Sequence, residues 1–443
     1  MPAIDRGARR AARTRSAVLA LGIPAALAII TLCIHRYGLS TLSVELAAIR
    51  GWLTGDGLYD YRSPGTDTGA ALSPALALLL APLTLVPLAA AGWLLALAGL
   101  VALVLAGVVL AGPVARRYGH RRATVVRALT ALALLTGPVQ ATLGLGRPDL
   151  LLFGLVAADL VALRRAAWAR SRATWWPTRR ASEAFRDRSP YGWSRRVWTG
   201  GGWAGVGTGL ATALSVAPVL FIGYLLISRQ RRAALTALVT AAAVTFAVLL
   251  VAPDETLTWY GTALWELDRM APISAPDNQS LAGMLARLYG FSAPPVLVWF
   301  SFGVLLLAVG LIRARSAHTD GDEIAAFTLV ALTGAVAGPV TGAAETVWLI
   351  PAVLILADAA MRRRLSVRLP RSARFAGAGF AAAALLSFTL LVLGPHWAHG
   401  YNGTAVVLIL LVNALPWRHG SAPAIPVHRP VRKRAAIPVP RGG

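Results

Sequence analysis

The stretch LAAAGWLLALAGLVALVLAGVVLAG, residues 88–112, runs 25 residues without a charge, and PVARRYGHRRATVVR, residues 113–127, follows it at once with five arginines. About 20 apolar residues are enough for a helix to cross the roughly 30 Å hydrocarbon core of a bilayer. An arginine cluster at the end of such a run marks the cytoplasmic side. Working outward, apolar runs recur from Ala17 to Trp417. The loops between them are alternately arginine-dense (116–127, 164–196, 229–232, 362–374) and arginine-poor but acid-bearing (45–67, 254–277). An isolated charge in hydrocarbon costs several kcal/mol, so charges that avoid the runs and sort by side report where the bilayer lies. The expected fold is an all-α polytopic membrane protein with both termini in the cytoplasm.

Composition agrees. Hydrophobic residues make up 56% of the 443 residues and charged residues only 14%. That balance suits a bundle solvated by lipid. The net charge of +24 lies in short loops at span ends and in the two tails rather than on one contiguous face. Anionic membrane lipids are therefore the expected partner, and nucleic acid is not. Lys433 is the single lysine among the basic residues, a bias that, with the Ala/Leu/Gly/Val excess, fits a GC-rich bacterial coding sequence and a bacterial plasma membrane. The one cysteine, Cys33, lies in the first apolar run, so no disulfide or cysteine-based metal site can form within one chain.

Crossings are expected at 17–35, 88–112, 124–140, 149–165, 203–215, 217–228, 233–252, 293–312, 324–338, 346–361, 375–394 and 403–417. Residues 1–16 form a basic cytoplasmic N-terminus, 17–417 the membrane domain, and 418–443 a disordered cytoplasmic tail. The first run follows five arginines like a signal peptide, but without a cleavage motif it reads as a retained anchor. The segment from Leu72 to Val86, bounded by prolines, reads as an interfacial or re-entrant helix. Within 203–228 an even number of crossings is required, and Pro218 supplies a break between two short helices near Ser215.

Two external loops, 36–71 and 253–292, have the length for function. The cytoplasmic loop 166–202 interleaves Trp168, Trp175, Trp176, Trp193 and Trp198 with arginines and reads as a membrane-surface segment. No Walker A loop, dinucleotide fingerprint, HExxH helix or nucleophile elbow is present. The glycines of 200–209 read as helix-packing residues. Cofactors and metals are not expected, and His35, His396 and His399 read as interfacial residues. The chemistry that remains is transfer or transport at a cavity opening outward.

Several elements occur in order: Thr41-Leu-Ser-Val-Glu45, Gly55-Asp-Gly-Leu-Tyr59-Asp60-Tyr61, Leu72-Ser-Pro74, and Leu145-Gly146-Arg147-Pro148-Asp149. They continue with Gly209-Leu-Ala-Thr-Ala-Leu-Ser215-Val-Ala-Pro218, Val251-Ala-Pro-Asp254, Asp277-Asn278-Gln279-Ser280-Leu281, and Gly338-Pro339-Val340-Thr341 through Trp348 to Pro351. This series resembles glycosyltransferase family 87, the actinobacterial polyprenol-phosphate-mannose-dependent mannosyltransferases of the GT-C class. The resemblance implies a GT-C-like bundle of about 12 transmembrane helices with an outward-facing cavity. It further implies transfer of a hexose, mannose by likeness, from a polyprenyl-phosphate-linked sugar donor to a glycolipid or cell-wall glycan acceptor.

The chain departs from the family's pattern at four polar positions. The aspartate of the family's Asp-Leu-x-Val-Tyr, which resembles its catalytic base, is Thr41 here, and Glu45 stands one helical turn later. The family's Tyr-Pro-Pro is Leu72-Ser73-Pro74, its hairpin lysine is Ser215, and its His-His pair before the tryptophan is Ala344-Glu345. Inverting transfer needs a carboxylate to take the acceptor hydroxyl's proton, and a cationic or dipolar partner for the leaving phosphate. Glu45 is the candidate base. Arg62, Arg147 and Arg269 are the candidate phosphate partners, with Asp149 beside Arg147. Thr41, Asp60, Ser215, Asn278, Gln279 and Glu345 complete the candidate substrate-binding set, although Asn278 and Gln279 could equally close an Asx turn. The alternative is a non-catalytic paralogue that binds or translocates lipid-linked glycans.

Overall fold

A computed structural model describes residues 22–64, 68–175, 200–269, 271–365, 371–394 and 402–418. Its described residues form helices throughout, with one isolated bridge between Arg62 and Gly69. The first half holds α1 (Gly22–Tyr37), α2 (Ser40–Thr54), α3 (Pro74–Leu80, continued by a 3-10 turn Ala81–Leu85), α4 (Leu88–Arg117), α5 (Arg122–Leu134), α6 (Gly137–Leu145) and α7 (Asp149–Trp175). The second half holds α8 (Val206–Leu214), α9 (Val219–Ile227), α10 (Arg231–Val251), α11 (Pro253–Gly261), α12 (Leu281–Tyr289), α13 (Val296–Thr319), α14 (Glu323–Ala337), α15 (Leu349–Leu365), α16 (Arg371–Leu393) and α17 (Gly403–Ala414). The basic N-terminus, Asp67, residues 176–199 of the tryptophan-bearing loop, His396, His399 and the tail beyond Arg418 lie outside the described residues.

The protein is a polytopic all-α membrane protein. Among the described residues five helices are long and apolar enough to cross a bilayer, or seven if each bent pair is one span. α10 and α13 turn large apolar side chains such as Phe246, Leu250, Phe300 and Leu305 outward, as lipid-facing helices do. By contrast, α14 is buried along almost its whole length, from Ile324 to Thr333. It forms the centre of the main core together with α7 and α15.

Three of the twelve expected runs depart most from a single long helix. The run 124–140 is not one helix: α5 and α6 meet at a 70° bend, where Gly137-Pro138 restarts the chain with proline in the first turn, the place a helix accepts it. The runs 203–215 and 217–228 contain helices of nine residues each. Nine residues rise only about 14 Å, too little for either to cross alone. α8 runs antiparallel to α7 and parallel to α10, with Gly201 against Ala162, Gly207 against Leu155, Gly205 against Ala233, and Gly209 against Ala237. A Cβ at Gly207 would lie 2.2 Å from Leu155 O, and one at Gly209 2.5 Å from Ala237 O. These glycines are the close-packing residues expected from the sequence. Pro218 then turns the chain back as α9, so the segment forms a hairpin that returns to the arginine-rich end, and the parity of the crossings is kept.

The charged ends are sorted in space as they are in sequence. Arg117 at the end of α4, Arg362 near the end of α15 and Arg418 after α17 all bond Asp358. Arg147, Asp149 and Glu345 gather at the opposite end. Beyond that end, α2, α3 and α11 build a second, smaller core around Leu42, Leu46, Ile49, Leu58, Tyr59 and Trp259. α2 turns 70° from α1, and we read it as lying outside the crossing.

Candidate functional site

α2 buries the face that carries Leu42, Glu45, Leu46 and Ile49, a spacing that puts all four toward the core. Three of them are ordinary core residues. Glu45 is a carboxylate on the same face, only 6% exposed, and its Oε2 has no hydrogen-bond partner. A buried polar atom in that condition is costly and calls for a partner, which a ligand or a water would supply. Burial pushes the Glu45 carboxyl up to about 7, with nearby Arg147 pulling the other way and nearby Asp149 adding to the rise.

The LGRPD element brings its charges to Glu45 through two glycines. Leu39 donates its N–H to Gly144 O at 3.0 Å, and a Cβ at Gly144 would lie 2.5 Å from Cys33 O. Only a bare glycine lets the α1–α2 corner approach α6 that closely. Gly146 ends α6 at φ +76°, and a Cβ there would lie 2.7 Å from Leu42. Arg147 follows immediately. Its Nε donates to Asp149 Oδ2 at 2.9 Å and its Nη2 to Glu345 Oε1 at 2.5 Å. Glu345 comes from a 3-10 turn, Ala344–Trp348, 198 residues away in sequence.

Arg147, Asp149 and Glu345, three of the candidate residues, therefore form one ion-paired cluster, and Glu45, a fourth, lies within electrostatic reach of Arg147 and Asp149 without bonding either. Thr41 lies one turn before Glu45 on α2 and is half-buried. The other candidates have other places. Arg269 is buried, donating to Ala70 O at 2.7 Å, to Tyr59 O and to Glu266, and its guanidinium lies over the Tyr59 ring. Arg62 pairs with the same Glu266 at 3.6 Å. Both arginines thus tie the segments 59–70 and 266–269 together. Asp60 is exposed at the turn after α2. Ser215 is the C-cap of α8, at the tip of the hairpin.

Asn278 closes an Asx turn, and Gln279 bridges to a neighbouring helix. Asn278 Oδ1 accepts from Ser280 N and from Thr341 N, while its Nδ2 donates to Ile273 O and Pro339 O. Gln279 Oε1 accepts from Ala405 N, and its backbone N–H donates to Thr341 O. The DNQS and GPVT elements hence clasp each other and fix the loop that leads to Glu345. Arg287 adds to the clasp through Asn402 Oδ1 and Asn278 O.

Sequence reading missed three residues. Ser73 caps α3 by accepting from Leu76 N and donates to Ala213 O and Leu214 O at the hairpin tip. Asp159, buried in α7, accepts from the N–H groups of Gly207 and Thr208 and so caps α8 from a neighbouring helix. Asp358 joins the arginine-rich ends. A lone acid inside an apolar run was the available signal for the last two.

An apolar groove of about 620 Å³ opens between α3, α4, α7 and α8, from Pro148 beside the cluster to Arg165 and Trp203 at the arginine-rich end. Those 17 residues of α7 rise about 25 Å, most of the thickness of a hydrocarbon core. Leu76, Leu105, Leu152 and Val161 are among its walls. Among the described residues no group of three or more His, Cys, Asp or Glu is placed to hold a metal ion.

Residues 73–337 match the sequence model of glycosyltransferase family 87. A Mycobacterium tuberculosis protein named polyprenol-phosphate-mannose-dependent alpha-(1-2)-phosphatidylinositol mannoside mannosyltransferase is 33% identical over 160 residues, 36% of this chain and 38% of its own length. A Mycolicibacterium smegmatis protein of the same name is 27% identical over 252 residues, 55% of this chain and 49% of its own length. A second M. smegmatis protein, a polyprenol-phosphate-mannose-dependent alpha-(1-2)-phosphatidylinositol pentamannoside mannosyltransferase, is 27% identical over 304 residues, 65% of this chain and 62% of its own length. The chain thus spans between about two fifths and three fifths of the length of these relatives. No solved structure matches.

Proposed function

Since the chain belongs to glycosyltransferase family 87, which its match over residues 73–337 establishes, we propose that it is a membrane hexosyltransferase. It moves mannose from polyprenyl phosphate to a glycolipid or cell-wall glycan on the outer face of a bacterial plasma membrane, with both termini in the cytoplasm. The observation that carries this reading is Glu45: a buried carboxylate with an unpartnered oxygen, beside Arg147 at the mouth of an apolar groove that starts at Pro148.

In this reaction Glu45 takes the proton from the acceptor hydroxyl as its oxygen attacks the anomeric carbon. The bond from that carbon to the phosphate oxygen breaks, and the anionic polyprenyl phosphate leaves toward Arg147. A base whose pKa lies near the working pH combines a useful ionised fraction with proton affinity. Asp149 holds the Arg147 guanidinium in place through Nε, and the groove offers the donor's isoprenoid chain an apolar bed. The substitution at Thr41 fits the scheme, since a hydroxyl is no general base near neutral pH, and Glu45 one turn later reaches the same volume. The change at Glu345 fits as well, since Glu345 is paired with Arg147.

The test is transfer of labelled mannose from polyprenyl-phosphate-mannose to membrane glycolipid by the purified protein. Glu45→Gln is expected to lower the rate about 100-fold or more, the usual contribution of a general base, while expression and membrane insertion stay unchanged. Unaltered transfer in Glu45→Gln contradicts the assignment of the base, and absence of transfer in the unmutated protein contradicts the function.

A further inference from the structure

The Arg147 guanidinium is not open to a substrate as it stands. Glu345 Oε1 takes its Nη2 at 2.5 Å, and Glu345 Oε2 accepts from the backbone N–H of Gly342. One carboxylate is therefore seated on a guanidinium and a main-chain N–H at once, the combination of donors that binds oxyanions. A Cβ placed on Gly342 would lie 3.8 Å from Arg147 Nη1 and 3.4 Å from Glu345 Oε2. The two donors and the carboxylate consequently line one small volume.

The parts of this arrangement differ in how firmly they are held. Arg147 is fixed from behind by Asp149, whose side chain is 13% exposed. Asn278 holds Thr341, next to Gly342, through a 2.9 Å bond to the Thr341 N–H. The Glu345 side chain is the most open member of the ion pairs, 31% exposed, and it sits on a short 3-10 turn. With Glu345 in place the cluster sets three carboxylates against one guanidinium, so an incoming phosphate would meet like charge. With Glu345 swung away, Arg147 Nη2 and the Gly342 N–H are both released.

We propose that Arg147 and the Gly342 N–H form the oxyanion site for the phosphate of the lipid-linked substrate, and that Glu345 is its internal occupant, displaced when substrate binds. The identity of the anion rests on the transferase reading; the internal occupancy does not. Glu345 then lowers affinity for donor and leaving group alike. It also returns to the site as the polyprenyl phosphate departs, which prevents the product from being held.

The experiment uses the full chain in detergent micelles with farnesyl phosphate as a soluble isoprenyl phosphate probe, binding being read directly by calorimetry. Glu345→Gln and Glu345→Ala are expected to bind the probe about 3- to 10-fold more tightly than the unmutated protein, the release of a half-exposed ion pair and one backbone hydrogen bond. Arg147→Gln is expected to remove binding in each background. Glu345→Asp, one methylene too short to reach both donors, is expected to tighten binding too, and it serves if the larger changes fail to fold. A brace that merely stiffens the loop would give equal or weaker binding in all three Glu345 variants, and that result overturns the proposal. So does binding that survives Arg147→Gln. Because binding needs no turnover, tightened binding in the Glu345 variants together with no transfer by the unmutated protein would count against the transferase reading alone. Intact transfer without tightening would count against this inference alone.

Discussion

The two ends of the helical bundle each hold a cluster of acids and arginines, and they are built to opposite specifications. At the arginine-rich end Asp358, 2% exposed as a side chain, bonds Arg117, Arg362 and Arg418 at 3.0 to 3.2 Å, and Tyr118 donates to it as well. Trp417 Nε1 donates to Asp320 at 2.7 Å next door. Cations outnumber acids there, and Asp358 is saturated. At the other end acids outnumber cations three to one, and the most buried of them, Glu45, has an oxygen with no partner. A satisfied network holds a structure together, and an unsatisfied one holds a place for something else.

The comparison can be broken at either end. Asp358→Ala leaves the Arg117, Arg362 and Arg418 guanidiniums packed together without their common acceptor. It is expected to lower stability by about 3–5 kcal/mol, the range for removing one partner of a buried ion pair, read as a fall in the thermal unfolding midpoint. If unfolding is unchanged, the cluster around Asp358 is no clasp.

Glu45→Gln should do the reverse. The Glu45 carboxyl is raised from 4.5 to about 7 by burial, so the folded protein prefers it protonated, and ionisation above that pH favours unfolding. The destabilisation grows between pH 4.5 and about 7 and is complete above. Glutamine mimics the neutral form. The variant is therefore expected to be more stable than the unmutated protein by about 2–3 kcal/mol at pH 8, and by little or nothing at pH 4.5. A variant that loses activity and gains stability identifies a residue kept for chemistry. Equal or lower stability at pH 8 would make Glu45 an ordinary structural acid.

The sequence made the arginine-rich end legible in outline and the opposite end legible in part. Arginine runs predicted which loops share an end, and the structure brings residues from 117, 362 and 418 together at one aspartate. Apolar length predicted α4, α10 and α13 because lipid-facing helices must be continuous. It failed at 124–140, where apolarity continues through a bend whose only mark is Gly137-Pro138. At the hairpin the break at Pro218 and the two short helices meeting near Ser215 are as the sequence suggested, but at nine residues each they are too short to be separate crossings. Asp159 and the glycines of this segment satisfy and pack α8 against α7 and α10.

Site residues divide in the same way. Glu45 was legible as a carboxylate standing where a one-turn shift could replace an aspartate. The Arg147–Glu345 pair was not, because its members are 198 residues apart and nothing local links them. Arg62 and Arg269 looked equally suitable as phosphate partners on charge alone. Only the fold shows that Tyr59, Ala70 and Glu266 already hold Arg269. The reading of the chain as a non-catalytic paralogue finds no support among its relatives, which carry the names of mannosyltransferases.

The most direct test of the central claim, that Glu45 is the base, is the pH dependence of transfer at saturating acceptor. A carboxylate pushed up to about 7 is active only when ionised. The account predicts a rate that climbs about tenfold per pH unit below 7 and levels off above it, with the climb abolished in the residual activity of Glu45→Gln. A profile flat from pH 5.5 to 8, or a climb that persists in Glu45→Gln, would contradict it.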